Sequence, residues 1–269
     1  MSTSPRAELL ACADGNGDIA TGALWLAVEE CGEIDIPVWL GALDDLATEL
    51  GTRYGAGIAD APPSTVAPVL AALLRDRLRL RGSDGADPRA HYLHTVMARG
   101  LGIPIACSTV WIAVGRRAGV AVDGVGLPGH FVVRIGTTLV DAHGGGALLD
   151  SDAARALVAR AVGTEVSDIR DEWLQGVTSR EMLARMSRNL RSCHALRGDL
   201  RLALIAADRC VALLPGDPGE RRERGALLTR AGATRAAIAD LHAYLDAAPH
   251  AADRDAVESL LAQARALAN

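Results

Sequence analysis

The sequence contains no lysine, and all 28 of its basic side chains are arginines. Without a lysine amine the chain cannot form the Schiff base on which one class of covalent enzyme depends. The formal net charge is −5, so the chain also lacks the cationic excess that holds general nucleic-acid-binding proteins to phosphates. We therefore expect neither Schiff-base chemistry nor a nucleic-acid partner.

Cysteine is scarce as well. The five cysteines are widely spaced and form no Cys-x-x-Cys pair, so the sequence predicts a reducing compartment and no structural zinc site. The N-terminal segment lacks the apolar stretch of a signal peptide, and no apolar run reaches the roughly 18 residues that cross a bilayer. We expect a cytoplasmic protein without a membrane partner. The sequence does not indicate an oligomeric state.

Aromatic residues make up only 3% of the chain, although 49% of it is hydrophobic, so the predicted core consists mainly of Ala, Leu and Val. Apolar residues recur at helical spacing over 19–50, 66–80, 90–99 and 107–118, with a loop predicted over 51–65. After Gly119 the sequence turns β-branched and glycine-rich in the segments AVDGVGLPG, HFVVRIG and TTLVDAH, which we interpret as strands. From about residue 152 the pattern is helical again.

The C-terminal third repeats with a period of 34 residues. The repeated pairs are Gly198 and Gly232, Ala203 and Ala237, and Pro215 and Pro249. This period is typical of tetratricopeptide repeats, in which each unit is a pair of helices. The sequence predicts two units with a closing helix at about 251–267, and a protein or peptide partner that docks on them.

One stretch, GLPGHFVVRIGTTLVDAHGGG, places a histidine and an aspartate beside a predicted turn at Gly136-Thr137. In that hairpin residue 135 pairs with 138, 132 with 141 and 130 with 143. His130 and Asp141 are then diagonal neighbours on one face, where the aspartate can orient the imidazole. A slip of one residue in the pairing would separate them.

Cys107 and Ser108 lie at the expected start of the helix before this hairpin. A helix N-terminus lowers the pKa of a thiol, so Cys107, His130 and Asp141 could act as nucleophile, base and orienting acid. The competing interpretation makes Cys107 a small core residue and Ser108 a cap or first-turn residue. His143 would lie opposite His130 and complete a trio with Asp141. No further ligand follows from the spacing, so we predict neither a metal site nor a cofactor.

The stretch GLGIPIACSTVWIAVGRRAGVAVDGVGLPGHFVVRIG, together with LVDAHGGG, resembles bacterial transglutaminase-like proteins of the SirB type. The resemblance extends through ALWLAVEECGEIDIPVWLGALDDLA, RNLRSCHALRGD and ADLHAYLDAAP, and so covers nearly the whole chain. It implies an α+β fold: a papain- or transglutaminase-like core of helices on a small antiparallel sheet, followed by an all-α tetratricopeptide-like region. The expected domains are 1–165 and 178–269.

The same resemblance assigns site residues. Pro104 stands where the family's nucleophile is expected, and Cys107 follows three residues later. His130 matches the histidine of the family's PGHF motif. Asp141 matches its aspartate, although the usual Asp-Pro-Phe continuation here is Asp-Ala-His. Two members of a catalytic triad are therefore retained and the third is displaced.

Three functions remain open at this point. In the first, the chain is a binding or regulatory protein with a degenerate catalytic site, which holds a peptide or acyl ligand near His130 and Asp141 while the repeats dock a partner. In the second, Cys107, His130 and Asp141 form a cysteine-dependent amide or thioester hydrolase or acyl transferase. In the third, the hairpin serves packing alone, and replacing His130 by alanine would leave all binding unchanged.

Overall fold

A computed structural model describes residues 4–14, 17–55 and 57–268 of the chain. The chain divides into two compact units, residues 1–183 and residues 184–269. One long helix, Ser179–Leu196, runs across the division. The domain limits expected from the sequence, 1–165 and 178–269, stay a prediction.

The first unit contains seven α-helices among its described residues. They are α1 (Pro5–Asp14), α2 (Ile19–Cys31), α3 (Ile36–Tyr54), α4 (Pro63–Leu78), α5 (Leu93–Arg99), α6 (Pro104–Arg117) and α7 (Ser151–Val162). Short 3₁₀ turns occupy residues 58–60, 88–90 and 171–174.

The helical spacing over 19–50 corresponds to two helices. Helix α2 ends just before Gly32, whose φ of +87° only glycine adopts readily. Helix α3 begins after Asp35, which accepts a hydrogen bond from the Val38 amide. The loop expected over 51–65 is shorter than predicted, because α3 continues to Tyr54 and α4 starts at Pro63. A proline is well suited to that first helical position, since the amide hydrogen it lacks has no partner there.

The strands form one antiparallel sheet and one short parallel pair. The sheet has the order β3 (Val122–Val125), β4 (Val132–Ile135), β5 (Thr138–Asp141) and β6 (Ala147–Leu149). The pair joins β1 (Arg81–Gly82) to β2 (Leu101–Gly102). Strands β3, β4 and β5 lie in the three segments predicted as strands, whereas β1, β2 and β6 were not expected.

The β4–β5 hairpin has the predicted register. Ile135 pairs with Thr138 across the turn, and Val133 pairs with Val140. Gly136 adopts a φ of +58°, a conformation that the turn requires and that glycine supplies without strain. The hairpin therefore brings the end of β5 beside the start of β4.

Helix α6 is the centre of the first unit. Every residue from 105 to 115 is buried, including Trp111 at 1% exposure. A helix that is apolar on all sides is stable only inside a protein, and α6 is in contact with α2, α3, α5 and the sheet strands β3 and β4. Gly115 permits the close approach of β3, because a Cβ there would lie 2.5 Å from the Val122 side chain.

The second unit is helical, as predicted. Besides most of α8 (Ser179–Leu196), it contains α9 (Leu200–Leu213), α10 (Pro218–Arg230), α11 (Thr234–Ala247) and α12 (Arg254–Ala266). Helices α9 and α11 begin 34 residues apart, each after a glycine of positive φ, Gly198 at +78° and Gly232 at +73°. Ala203 and Ala237 are both fully buried, and α12 is the predicted closing helix.

In the described ranges no helix has both the length and the apolar character needed to cross a membrane.

Candidate functional site

His130 and Asp141 are hydrogen-bonded partners. The Nε2 atom of His130 lies 3.0 Å from Oδ1 of Asp141, and the two residues are 7% and 8% exposed. His130 sits just before β4, where its backbone amide donates to the carbonyl of Leu127, and Asp141 ends β5. The hairpin register thus produces the contact that the sequence predicted.

Asp141 is ionised in this setting. Burial by itself would raise the pKa of the carboxyl group, but the hydrogen bonds from His130 and from the Gly144 amide outweigh it and hold the pKa below its usual value. The backbone amide of His143 also donates to Oδ1, at 3.2 Å. Gly144 has to be glycine, because a Cβ there would lie 2.4 Å from Oδ2 of Asp141.

His143 is the third polar side chain of the site, and it is partly exposed. Its imidazole meets that of His130 edge to face, with the ring centroids 5.4 Å apart. Its Nε2 atom lies 3.1 Å from the carbonyl oxygen of Ser83. Since a carbonyl oxygen only accepts, Nε2 carries the hydrogen, and in the neutral ring Nδ1 keeps its lone pair.

Cys107 lies deeper in α6 than the sequence suggested. Because the helix begins at Pro104, Cys107 is its fourth residue, and its amide already donates to the carbonyl of Ile103 at 3.0 Å. It is therefore not one of the free amides that make a helix N-terminus attractive to an anion.

The thiol of Cys107 is fully buried against main-chain carbonyls. Its Sγ atom lies 3.4 Å from the oxygen of Gly102 and 3.8 Å from that of Arg81. Burial, reinforced by the negative charge of Asp141, raises the pKa of the thiol to about 12. The shift in the pKa is therefore opposite to the lowering expected from a helix N-terminus, and burial favours the neutral thiol.

The suggested capping role of Ser108 is also wrong, because α6 begins four residues before it, at Pro104. Ser108 is the fifth residue of α6 and fully buried, and its hydroxyl lies 3.4 Å from the carbonyl oxygen of Phe131. It ties α6 to the residue next to His130. Pro104 takes the first helical position.

The sequence assigned no role to the segment 81–83. This segment supplies the carbonyl of Arg81 to Cys107 and that of Ser83 to His143. Gly82 lies so close to His143 that a Cβ would be 2.4 Å from its ring. No local pattern indicates this contact, because it joins residues about 60 positions apart.

The arrangement is that of a papain-like or transglutaminase-like fold: a central helix with a buried thiol packs on an antiparallel sheet that carries a histidine and an aspartate in contact. Sequence comparison agrees. A profile described as "Transglutaminase-like superfamily" matches residues 38–188, more than half of the chain, and one described as "Tetratricopeptide repeat" matches 190–262. The chain belongs to the transglutaminase-like superfamily.

Several bacterial relatives carry the name UPF0162 protein. One from Xylella fastidiosa is 37% identical over 181 residues, which is 65% of this chain and 64% of the relative. The match therefore spans somewhat less than two thirds of that relative's length. One from Pseudomonas aeruginosa is 29% identical over 246 residues, 90% of this chain and 89% of the relative. F-box only protein 21 of Mus musculus is 30% identical over 134 residues, 45% of this chain but 20% of that protein.

Proposed function

We propose that this is a binding or regulatory protein of the cytoplasm rather than an enzyme. Its transglutaminase-like domain would hold a peptide or acyl ligand near His130 and Asp141, and its helical repeats would dock a protein partner. The catalytic site would be degenerate. A cytoplasmic setting is consistent with the absence of a disulfide among the cysteines of the described residues.

The state of Cys107 is the observation that carries this proposal. A cysteine nucleophile reacts as the thiolate, and active-site thiols are found where cations, free amides or partial exposure stabilise that anion. Cys107 has none of its side chain exposed and faces carbonyl oxygens of Gly102 and Arg81, which repel a negative sulfur. Asp141 adds a further negative charge.

The remaining polar groups are suited to holding a ligand. Asp141 fixes the ring of His130, and His143 beside it is partly exposed and keeps an unprotonated nitrogen as a hydrogen-bond acceptor. A peptide amide or an acyl group offers hydrogen-bonding partners to such imidazoles. Ligand binding needs only these groups, whereas catalysis needs the thiolate as well.

The helical unit supports the partner half of the proposal. Tetratricopeptide repeats are paired helices whose stacked faces form extended binding surfaces for proteins. Here the repeats are regular over two units and are closed by α12.

One observation favours the alternative, a Cys-His-Asp hydrolase or acyl transferase. The hydroxyl of Ser108, the residue after Cys107, lies 3.4 Å from the carbonyl oxygen of Phe131, the residue after His130, so this turn of α6 packs against the start of the hairpin. In that mechanism His130 takes the proton of Cys107, and the sulfur attacks an amide or thioester carbonyl. The C–N or C–S bond of the substrate then breaks, and the amine or thiol leaves with the proton that His130 returns. The acyl-enzyme is then cleaved by water or by an amine.

Alkylation distinguishes the two functions, and two other cysteines of the chain serve as reference thiols. Iodoacetamide labelling of the intact protein, read by peptide mass spectrometry between about pH 5 and 9, compares Cys107 with the exposed Cys31 and with Cys210. Cys210 is an internal negative control, because burial raises its pKa to about 12 as well. We expect Cys31 to react first and Cys107 to react as slowly as Cys210.

The enzyme alternative gives the opposite result. Cys107 would then react faster than Cys210 with a low apparent pKa, and replacing His130 by alanine would slow it. That outcome would overturn the binding proposal. If Cys107 is inert, capture experiments with the intact chain and its His130→Ala variant are expected to show a ligand that depends on His130.

A further inference from the structure

We propose that His130, Asp141 and His143 together bind one divalent transition-metal ion. The proposal goes beyond the function proposed above and does not depend on it, since metal binding by these residues requires neither a peptide ligand nor a partner on the repeats.

The three side chains already lie close enough to share an ion. Their ligand atoms, one from each residue, are all within 4.8 Å of one another. Around a tetrahedral zinc ion with bonds of about 2.0–2.1 Å, neighbouring ligand atoms are roughly 3.4 Å apart. The Nε2 atom of His130 and Oδ1 of Asp141 are 3.0 Å apart, and no pair of the three ligand atoms is more than about 1.5 Å wider than the zinc spacing.

His143 has the hydrogen bonding of a metal ligand. Histidines that bind metals almost always donate their other ring N–H to a carbonyl or carboxylate, which fixes the tautomer and the ring orientation. The Nε2–H of His143 donates to the carbonyl of Ser83, and Nδ1 is left as the ligand atom.

Asp141 and His130 supply the other two ligands. The carboxylate carries the negative charge that a dication requires, and the amides of His143 and Gly144 hold it in place. When the ion enters, the bond from Nε2 of His130 to its hydrogen is replaced by a bond to the metal. The proton moves to Nδ1, so the imidazole binds as a neutral ligand and the total charge is conserved.

Two glycines let the backbone pack closely against His143 and Asp141. A Cβ at Gly82 would lie 2.4 Å from the His143 ring, and one at Gly144 would lie 2.4 Å from Asp141. Two imidazoles and one carboxylate suit zinc, iron, cobalt or nickel rather than calcium or magnesium. Three protein ligands also leave a coordination position open for water or for a donor atom of a bound ligand.

A cobalt titration tests this. The intact chain, stripped of metal with a chelator, is titrated with Co²⁺ and followed by its visible absorption, and Zn²⁺ is then added in competition. We expect one ion per chain and binding that weakens at acid pH, because protons compete for the imidazoles. His143→Gln and Asp141→Asn should each weaken binding by more than about tenfold.

The matched control is His250→Gln, which removes an exposed histidine of the other unit and should leave the affinity unchanged. Tryptophan fluorescence of the metal-free variants verifies that they fold. A measurement on the unaltered chain is independent of any folding defect: Zn²⁺ should protect His143, but not His250, from diethyl pyrocarbonate. Equal Co²⁺ affinity in wild type and His143→Gln, or unprotected His143 at saturating Zn²⁺, would overturn the proposal.

Discussion

Replacing Asp141 by asparagine should destabilise the first unit by about 3 kcal/mol at pH 7. Three donors meet this carboxylate: Nε2–H of His130, the amide of His143 and the amide of Gly144. A hydrogen bond to a charged group contributes roughly 1.5–3 kcal/mol, against about 1 kcal/mol for a neutral one. The NH₂ group of asparagine must also face one of these donors, and because it cannot accept a hydrogen bond, that donor is left without its partner.

The loss should depend on pH. The pKa of Asp141 is lower in the folded chain than in the unfolded one, where it is close to about 3.9. Its stabilising contribution is therefore complete above about pH 4 to 5 and is lost as the pH falls through the folded-state pKa. The difference in unfolding free energy between wild type and Asp141→Asn should accordingly shrink below about pH 4.

Urea unfolding followed by tryptophan fluorescence measures the unfolding free energy of the first unit, which contains Asp141. All four tryptophans, Trp25, Trp39, Trp111 and Trp173, belong to residues 1–183, so the signal excludes the helical repeats. The control is Asp152→Asn, whose exposed ion pair with Arg155 should contribute less than about 1 kcal/mol. A loss below about 0.5 kcal/mol at pH 7, or a loss that stays constant down to pH 3, would refute the reasoning.

Two further substitutions test the packing of each unit. Gly82→Ala places a methyl group against the His143 ring and should lower the unfolding free energy by about 1–3 kcal/mol in the same fluorescence assay. Unchanged stability would show that the ring moves aside freely. Gly198→Ala puts a side chain on a residue with a φ of +78° and should lower the unfolding free energy by about 1 kcal/mol, measured by far-UV circular dichroism of the helices. The control is Gly216→Ala, which should be near neutral because a Cβ there has open space around it.

The hairpin was predictable because its determinants are local. Gly136 supplies the turn, alternation of side chains fixes the faces, and the pairing of residues 135 and 138 then places Asp141 beside His130. The repeats were predictable for a similar reason, since Gly198 and Gly232 end the turns before equivalent helices.

The surroundings of the thiol were not predictable in this way. The contacts of Cys107 with Arg81 and of His143 with Ser83 join segments far apart in the chain. The second also requires a glycine at position 82, where a Cβ would lie 2.4 Å from the His143 ring. The start of α6 was misjudged because the GLGIPI segment carries loop-forming residues. Pro104 in fact begins the helix, with Ile103 preceding it in an extended conformation.

That start explains why the thiol is buried. Three residues advance a helix by about 4.5 Å and nearly one full turn, so position 107 lies on almost the same side of α6 as position 104, one turn further into the core. A thiol at position 104 would adjoin the unpaired amides of the first turn. At position 107 the amide is already bonded to Ile103, and the buried sulfur faces the carbonyl oxygens of Gly102 and Arg81. Restoring reactivity by Pro104→Cys is therefore a more direct route to a thiolate than any change around Cys107, and that variant should alkylate faster than Cys107 at pH 7.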